Sequence, residues 1–191
     1  MTEHLSPRAD LRPWKTLERQ PLFSGGPIKE IALEKVLLPD GRVVPDYYTA
    51  TMGDYALVYA VTPEDKVLIL RQYKHGARRV CLTFPGGYVA PGEDPAVAVE
   101  RELLEETGYR LKTLTPLGAF VANANQGCNT AHLFRADGCW YEREAHSGDL
   151  EEMELVQFTP QELLVPARID EMAVLGYVAL LLLADRAATR A

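Results

Sequence analysis

Three glutamates and an arginine lie close together on one predicted helix, as Arg101, Glu102, Glu105 and Glu106. At about 100° per residue, Glu105 lies about 60° to one side of Glu102 and Glu106 about 40° to the other. Three carboxylates so close repel each other unless a cation neutralises them. Oxygen-rich clusters suit hard cations, chiefly Mg²⁺ or Mn²⁺, and these bind phosphate oxygens and activate water. A solvated acidic helix face is the alternative.

The spacing around these acids distinguishes the two interpretations. In order, the segment holds Gly87, five residues, Glu93, seven residues, Arg101-Glu102-Leu103-x-Glu105-Glu106-x-Gly108. This arrangement resembles the Nudix box, with every fixed position matched and only Tyr109 departing from the final aliphatic position. The resemblance implies the Nudix fold and hydrolysis of nucleoside diphosphates linked to another group.

The resemblance also implies a role for each residue of the box. Glu93 and Arg101 are expected to pair and to pin the loop to the helix, beside Glu105 as a third candidate catalytic residue. The metal ligands are expected to be Glu102, Glu106 and, by position, the carbonyl of Gly86, with Glu105 either a further ligand or a close support for them. The cofactor is therefore expected to be Mg²⁺, for which Mn²⁺ can substitute.

Residues 70–74 followed by residues 84–87 resemble the ADP-ribose pyrophosphatase branch of the family. That branch implies substrate contacts from Arg71 and Lys74, although Lys74 stands where Arg is usual, Thr83 replaces a Glu and Gly86 an Ala. A lysine makes a point charge where arginine would make a bidentate clamp. The branch implies a nucleoside diphosphate sugar as substrate, with ADP-ribose the best single choice.

Further substrate contacts are predicted from aromatic and amide side chains. In relatives an aromatic residue near the N-terminus stacks on the base, and the candidates are Trp14, Tyr47 and Tyr48, each of which could instead belong to a core. Residues 122–127 lack the proline that often accompanies ADP-ribose specificity. Asn125 there could hydrogen-bond to a sugar or base, or the segment could only shape a turn.

The base that activates water is expected on a late loop, residues 148–154. Relatives carry Glu-x-x-Glu before an apolar strand, and that register selects Glu151 as catalytic with Glu154 as its companion. Glu152 is the second choice, and a solvated acidic loop is the alternative.

The elements that must position these residues indicate an α+β fold. Asp94 as N-cap, Pro95 and Gly108 bound the box helix, and a mostly apolar helix is predicted over residues 170–186. We expect a mixed β-sheet sandwiched between helices (α/β/α). Two domains are predicted: an arm and small antiparallel sheet over residues 1–52, with residues 1–27 irregular, and a Nudix hydrolase domain over residues 53–191.

Composition restricts the partners. The 191 residues carry 20 basic and 27 acidic side chains, a net charge of −7, which argues against nucleic acid and anionic membranes. Three cysteines at wide spacing and no apolar leader favour the cytoplasm.

The N-terminal sheet is expected to form a homodimer. The alternatives to hydrolysis of ADP-ribose are hydrolysis of a dinucleoside polyphosphate or GDP-mannose, and a non-catalytic nucleotide-sensing module.

Overall fold

The computed structural model describes residues 11–148 and 152–189. Proximity of Cα atoms divides the chain into two units. The first holds the described residues up to Met52 together with Asn123–Cys128. The second holds Gly53–Ala122 and the described residues from Asn129 onward.

The first unit is built on three antiparallel strands, β1 (Lys15–Gly25), β2 (Ile28–Leu37) and β3 (Val43–Met52). Gly127 and Cys128 pair in parallel with β3. The expectation that residues 1–27 are irregular is wrong for β1. Pro21 and two breaks in register obscure its pattern, and an edge strand tolerates both because its outer N–H groups need no partner.

The second unit contains a mixed sheet around β4 (Tyr55–Val61). The other strands are β5 (Val67–Lys74), β6 (Arg79–Thr83), β7 (Gly86–Tyr88), β8 (Tyr109–Arg110), β9 (Thr113–Asn123), β10 (Gly127–Asp137), β11 (Trp140–Tyr141) and β12 (Met153–Phe158). The last residue of β9 and the first two of β10 belong to the first unit. Within this unit β10 runs parallel to β4, whereas β5 and β7 pair with β4 antiparallel and β6 and β12 pair with β5 antiparallel. Strands β8 and β11 form a separate pair.

Helices cover both faces of this sheet. They are α1 (Pro95–Thr107), α2 (Pro160–Leu163), α3 (Pro166–Glu171) and α4 (Leu175–Ala188). Alternate side chains of β4 enter two separate cores: Val58 packs with Leu103 of α1, whereas Tyr59 packs with Leu181 of α4. The predicted α+β class, with a mixed sheet between helices, is confirmed.

The closing helix starts later than predicted. Asp170 and Glu171 end α3, and Met172 and Val174 are extended before α4 begins at Leu175. The apolar pattern of residues 170–186 hid this break, because the intervening residues are themselves apolar. No helix in the described part of the chain is long and apolar enough to span a bilayer.

Candidate active site

Helix α1 carries the box glutamates, and its N-terminus is capped as predicted. The carboxylate of Asp94 accepts a hydrogen bond from the backbone N–H of Ala96 at 2.9 Å, and Pro95 occupies the first turn. Val99 and Leu103 are fully buried against the sheet. The buried stripe fixes the rotation of the helix, and so decides which way Glu102, Glu105 and Glu106 project.

The C-terminus of α1 is held by a distant segment. Gly108 ends the helix with φ of 76°. The backbone N–H groups of Glu142 and Arg143 donate to the Gly108 carbonyl, and that of His146 donates to the Glu105 carbonyl at 2.8 Å. These contacts satisfy carbonyls that have no partner inside the helix. The segment before the predicted catalytic loop is therefore docked on the box helix.

Two glycines let the short strand β7 approach these acids. Gly86 has φ of 148°, and its N–H donates to Oε2 of Glu106 at 2.8 Å. A Cβ on Gly86 would lie 2.1 Å from the backbone oxygen of Ala56. A Cβ on Gly87 would lie 2.5 Å from the carboxyl group of Glu102. Backbone therefore occupies space beside both carboxylates that any side chain would fill.

Arg101 joins the loop to the helix, as predicted. Its Nε and Nη2 donate to the carboxylate of Glu93 at 3.2 and 3.3 Å, while Nη1 donates to Glu102 at 2.8 Å and to Glu105 at 3.2 Å. Hydrogen bonding by Arg101 lowers the pKa of Glu93. The hydrogen bonds that Arg101 donates to Glu93 and Glu102 raise the pKa of Arg101 itself.

Glu102 and Glu106 line a cavity of about 600 Å³. Its polar lining also includes Lys74, Gly86, Gly87 and Asn129. The remaining lining is aromatic or apolar, namely Tyr55, Leu57, Tyr88, Val174 and Tyr177. Burial raises the pKa of Tyr55, so its hydroxyl stays protonated at neutral pH. A polar end with acids and a cation, beside a tyrosine-rich wall, suits a ligand with an anionic centre and flat ring groups.

The donor chemistry fits a hard divalent cation. Glu102 and Glu106 present carboxylate oxygens to one cavity beside the backbone of Gly86 and Gly87. As they stand, no three His, Cys, Asp or Glu side chains among residues 11–148 and 152–189 are grouped to hold a metal ion. Arg101 is part of the reason that these acids are not grouped around a metal site, because its Nη1 donates hydrogen bonds to both Glu102 and Glu105.

The predicted substrate residues separate by strand parity. Lys74 and Arg71 lie three positions apart on β5, so they project from opposite faces. Lys74 lines the cavity of the box acids, whereas Arg71 pairs with Glu154 at 3.1 Å on the neighbouring strand. Arg71 also lines a second cavity with Glu152. The structure brings Lys74 to the box and not Arg71, Glu152 or Glu154, and Glu151 lies outside the described residues.

The other predicted substrate residues belong to the first unit. Trp14 and Tyr48 are more than half exposed, and Trp14 contacts Tyr47 edge to face at 5.7 Å between ring centroids. The hydroxyl of Tyr47 donates to the backbone oxygen of Asn125. Asn123 accepts hydrogen bonds from two following backbone N–H groups, so this segment forms a turn of the kind that asparagine favours.

Sequence reasoning missed most of the tyrosine-rich wall. Tyr88 directly follows the box glycine, and that position was a signal that it faces the same space. Tyr55 and Asn129 line the same cavity because β4 and β10 run in parallel with Tyr55 opposite Ala131. Tyr177 arrives from α4. Neither the pairing of β4 with β10 nor the position of α4 leaves a local pattern in the sequence.

Comparison with known proteins gives the family. The NUDIX domain model matches residues 52–175. An ADP-ribose pyrophosphatase of Bacillus subtilis (strain 168) is 34% identical over 123 residues, which cover 64% of this chain and 65% of that protein. A methanol dehydrogenase activator of Bacillus methanolicus is 30% identical over 151 residues, which cover 78% of this chain and 80% of that protein. The chain thus spans just under two thirds of the first relative.

A solved structure supports the same fold. The crystal structure of an ADP compounds hydrolase superposes with a TM-score of 0.79, covering 94% of this chain and 96% of that one at 19% identity. At that identity the likeness concerns the fold. The family model covers most of the chain, and Gly87, Glu102 and Glu106 of the box line one cavity. The chain therefore belongs to the NUDIX domain family.

Proposed function

We propose that this chain is a Nudix pyrophosphohydrolase that cleaves the pyrophosphate bond of a nucleoside diphosphate sugar, with ADP-ribose the best single candidate. The products are a nucleoside monophosphate and a sugar phosphate. The observation that carries the proposal is the cavity in which Glu102 and Glu106 meet Lys74. The Bacillus subtilis relative, which is named an ADP-ribose pyrophosphatase, supports this substrate class.

Nudix hydrolases generally use a divalent metal, and we propose Mg²⁺ here, with Mn²⁺ able to substitute. Glu102 and Glu106, with Glu105 and the Gly86 carbonyl, are the proposed ligands. A bound divalent ion would neutralise diphosphate charge and acidify a water molecule. Lys74, at the end of β5, supplies a further positive charge, and its single ammonium group leaves the diphosphate more rotational freedom than an arginine fork would.

The tyrosine-rich wall is proposed to receive the uncharged parts of the substrate. A cavity of about 600 Å³ lies within the usual range of about 300–1,000 Å³ for small-molecule sites. Tyr88 is half exposed, so its ring is available to stack on a base or sugar face. Trp14, Tyr48, Asn125 and Arg71 remain proposed substrate contacts.

Glu151 is proposed as the base that accepts a proton from the attacking water, with Glu152 as the second choice. Separate Glu151→Gln, Glu152→Gln and Glu154→Gln variants test this assignment through their pH–rate profiles. We expect the acidic limb to be lost only in the base variant. An unchanged profile in both Glu151→Gln and Glu152→Gln would contradict the assignment to this loop.

A substrate panel with Mg²⁺ tests the function. The panel contains ADP-ribose, GDP-mannose, a dinucleoside polyphosphate and dNTPs, with products identified by chromatography and ³¹P NMR. We expect AMP and ribose 5-phosphate from ADP-ribose at the highest kcat/KM. A preference for dNTPs would contradict the branch, and binding without any product would favour the sensing module.

The first unit is proposed to form a homodimer, and the cytoplasm is the proposed location. The side chains of β1 are all exposed, including those of Leu17, Leu22 and Phe23. An edge strand with exposed apolar side chains favours pairing with another chain. Cys81, Cys128 and Cys139 are free thiols, as in a reducing compartment.

A further inference from the structure

We propose that Arg101 is an exchangeable counter-ion, which holds Glu102 and Glu105 in the metal-free protein and withdraws toward Glu93 when a divalent cation binds. This inference rests on the metal dependence of the proposed function. It assigns Arg101 a second role beyond pinning the loop: it sets the affinity of the site for metal.

The geometry divides the guanidinium group into two edges. Nε and Nη2 face Glu93, whereas Nη1 faces Glu102 and Glu105. The Nη1 contact with Glu102, at 2.8 Å, is the shortest of the set. Glu102 is also the carboxylate that lines the cavity beside Gly87. The arginine therefore competes with any cation for a carboxylate proposed as a ligand.

The charges explain why such a counter-ion is needed. Glu93, Glu102, Glu105 and Glu106 lie around one helix and its loop, and without a cation their repulsion opposes folding. Arg101 contacts three of these acids at once because a guanidinium group has five donors in a fixed fork, and its single positive charge is shared among them. Glu106 is instead held by the N–H of Gly86.

Glu93 gives the arginine an alternative position. Because Glu93 binds the far edge of the guanidinium group, Arg101 stays anchored when Nη1 leaves Glu102. The Tyr88 carbonyl accepts a weaker bond from Nη2 at 3.4 Å on the same side. Removing Glu93 would leave Glu102 and Glu105 as the remaining carboxylates that Arg101 contacts, and would strengthen its competition with metal.

Calorimetric titration of the full chain with Mg²⁺ or Mn²⁺ alone, without nucleotide, tests the inference. We expect Arg101→Gln to bind metal about 3- to 10-fold more tightly than the unmodified protein, and Glu93→Gln to bind it about 2- to 5-fold more weakly. In EDTA, Arg101→Gln should melt several degrees lower, because Glu93, Glu102 and Glu105 then lose the guanidinium group that contacts them. Arg110→Gln, which removes an exposed arginine paired with Glu142 outside the site, is the control.

The double variant separates exchange from simple electrostatics. If Glu93 acts through Arg101, Glu93→Gln should have no effect on metal affinity in the Arg101→Gln background. Additive effects would overturn the inference, as would weaker metal binding by Arg101→Gln. If Arg101→Gln fails to fold, an unchanged or tighter affinity in Glu93→Gln alone would overturn it. Absence of metal uptake by the unmodified protein would overturn the metal dependence of the proposed function as well.

Discussion

The two adjacent glycines of β7 should respond differently when a methyl group is added. Gly86→Ala sets a Cβ against backbone at 2.1 Å and at a φ that disfavours L-residues, so the backbone of β7 must move. Gly87→Ala sets a Cβ against the end of the Glu102 side chain, which can rotate away. The first change therefore acts on the fold and the second on the site.

We expect Gly86→Ala to lower the free energy of unfolding by about 2–4 kcal/mol. Gly87→Ala should change it by less than about 1 kcal/mol while reducing the hydrolysis rate at least about 10-fold. Urea unfolding and initial rates measure the two effects. Equal stability losses in the two variants would contradict this distinction.

Single residues of the box could be predicted because their spacing resembles the Nudix box, and that resemblance implies a role for each of them. Glu93 pairs with Arg101 as expected, and Glu102 and Glu106 share a cavity. Arg71 was grouped with Lys74, although positions three apart on a strand face opposite ways and the sequence contains that information. Asn129 and Tyr177 could not be predicted, because only the pairing of β4 with β10 and the position of α4 bring them to the site.

At the scale of elements, α2 offers a direct test of local capping. Thr159 and Glu162 form a capping box, in which the Glu162 carboxylate accepts from the Thr159 backbone N–H at 2.7 Å. This hydrogen bond lowers the pKa of Glu162. A carboxylate with a lowered pKa stabilises the fold above its ordinary pKa, and that contribution is lost as the pH falls through the lowered value.

Glu162→Gln should therefore melt below the unmodified protein at pH 7, and the difference should close as the pH falls through the lowered pKa of Glu162. Melting temperatures across this range provide the measurement. Glu64→Gln, in an exposed turn, is the matched control and should show no such gap. A difference that persists at the acidic end would mean that the charge of Glu162 is not its cause.

The boundaries of elements are predicted well where capping and helix-breaking residues mark them clearly, and poorly where such signals are weak. Asp94, Pro95 and Gly108 bound α1 as expected. Strand β1 is not predicted from the sequence, because Pro21 and an irregular register obscure its pattern. The strand is defined instead by its antiparallel pairing with β2. The break between α3 and α4 was missed because the residues that separate them are as apolar as the helices.

The proposed dimer is the prediction that concerns the whole molecule. Sedimentation at micromolar concentration should show a dimer, and Phe23→Asp should weaken its association at least about 10-fold. Phe23 is 53% exposed on β1. Leu175→Asp, at an 81% exposed residue of the second unit, should leave the association unchanged. A monomer before any substitution would contradict the proposed role of the first unit.

The arrangement of the sheet explains why the chain can be both stable and charged at its site. In the second unit one face of β4 packs under α4 and the other under α1, so the box helix is supported by a core that its acids do not enter. Glu106 is an exception, since it is only 9% exposed and held by a backbone N–H. Glu106 is therefore the most buried of the box glutamates.

Hydrolysis of ADP-ribose in Mg²⁺ by the unmodified protein and by Glu106→Gln tests the account most directly. Glutamine keeps the size of the side chain and an oxygen that can accept from Gly86, but it removes the charge. We predict AMP and ribose 5-phosphate from the unmodified protein, and a rate at least about 100-fold lower from Glu106→Gln with its melting temperature retained. Glu100→Gln, on the exposed side of α1, should keep full activity. Undiminished hydrolysis by a folded Glu106→Gln protein would contradict the account.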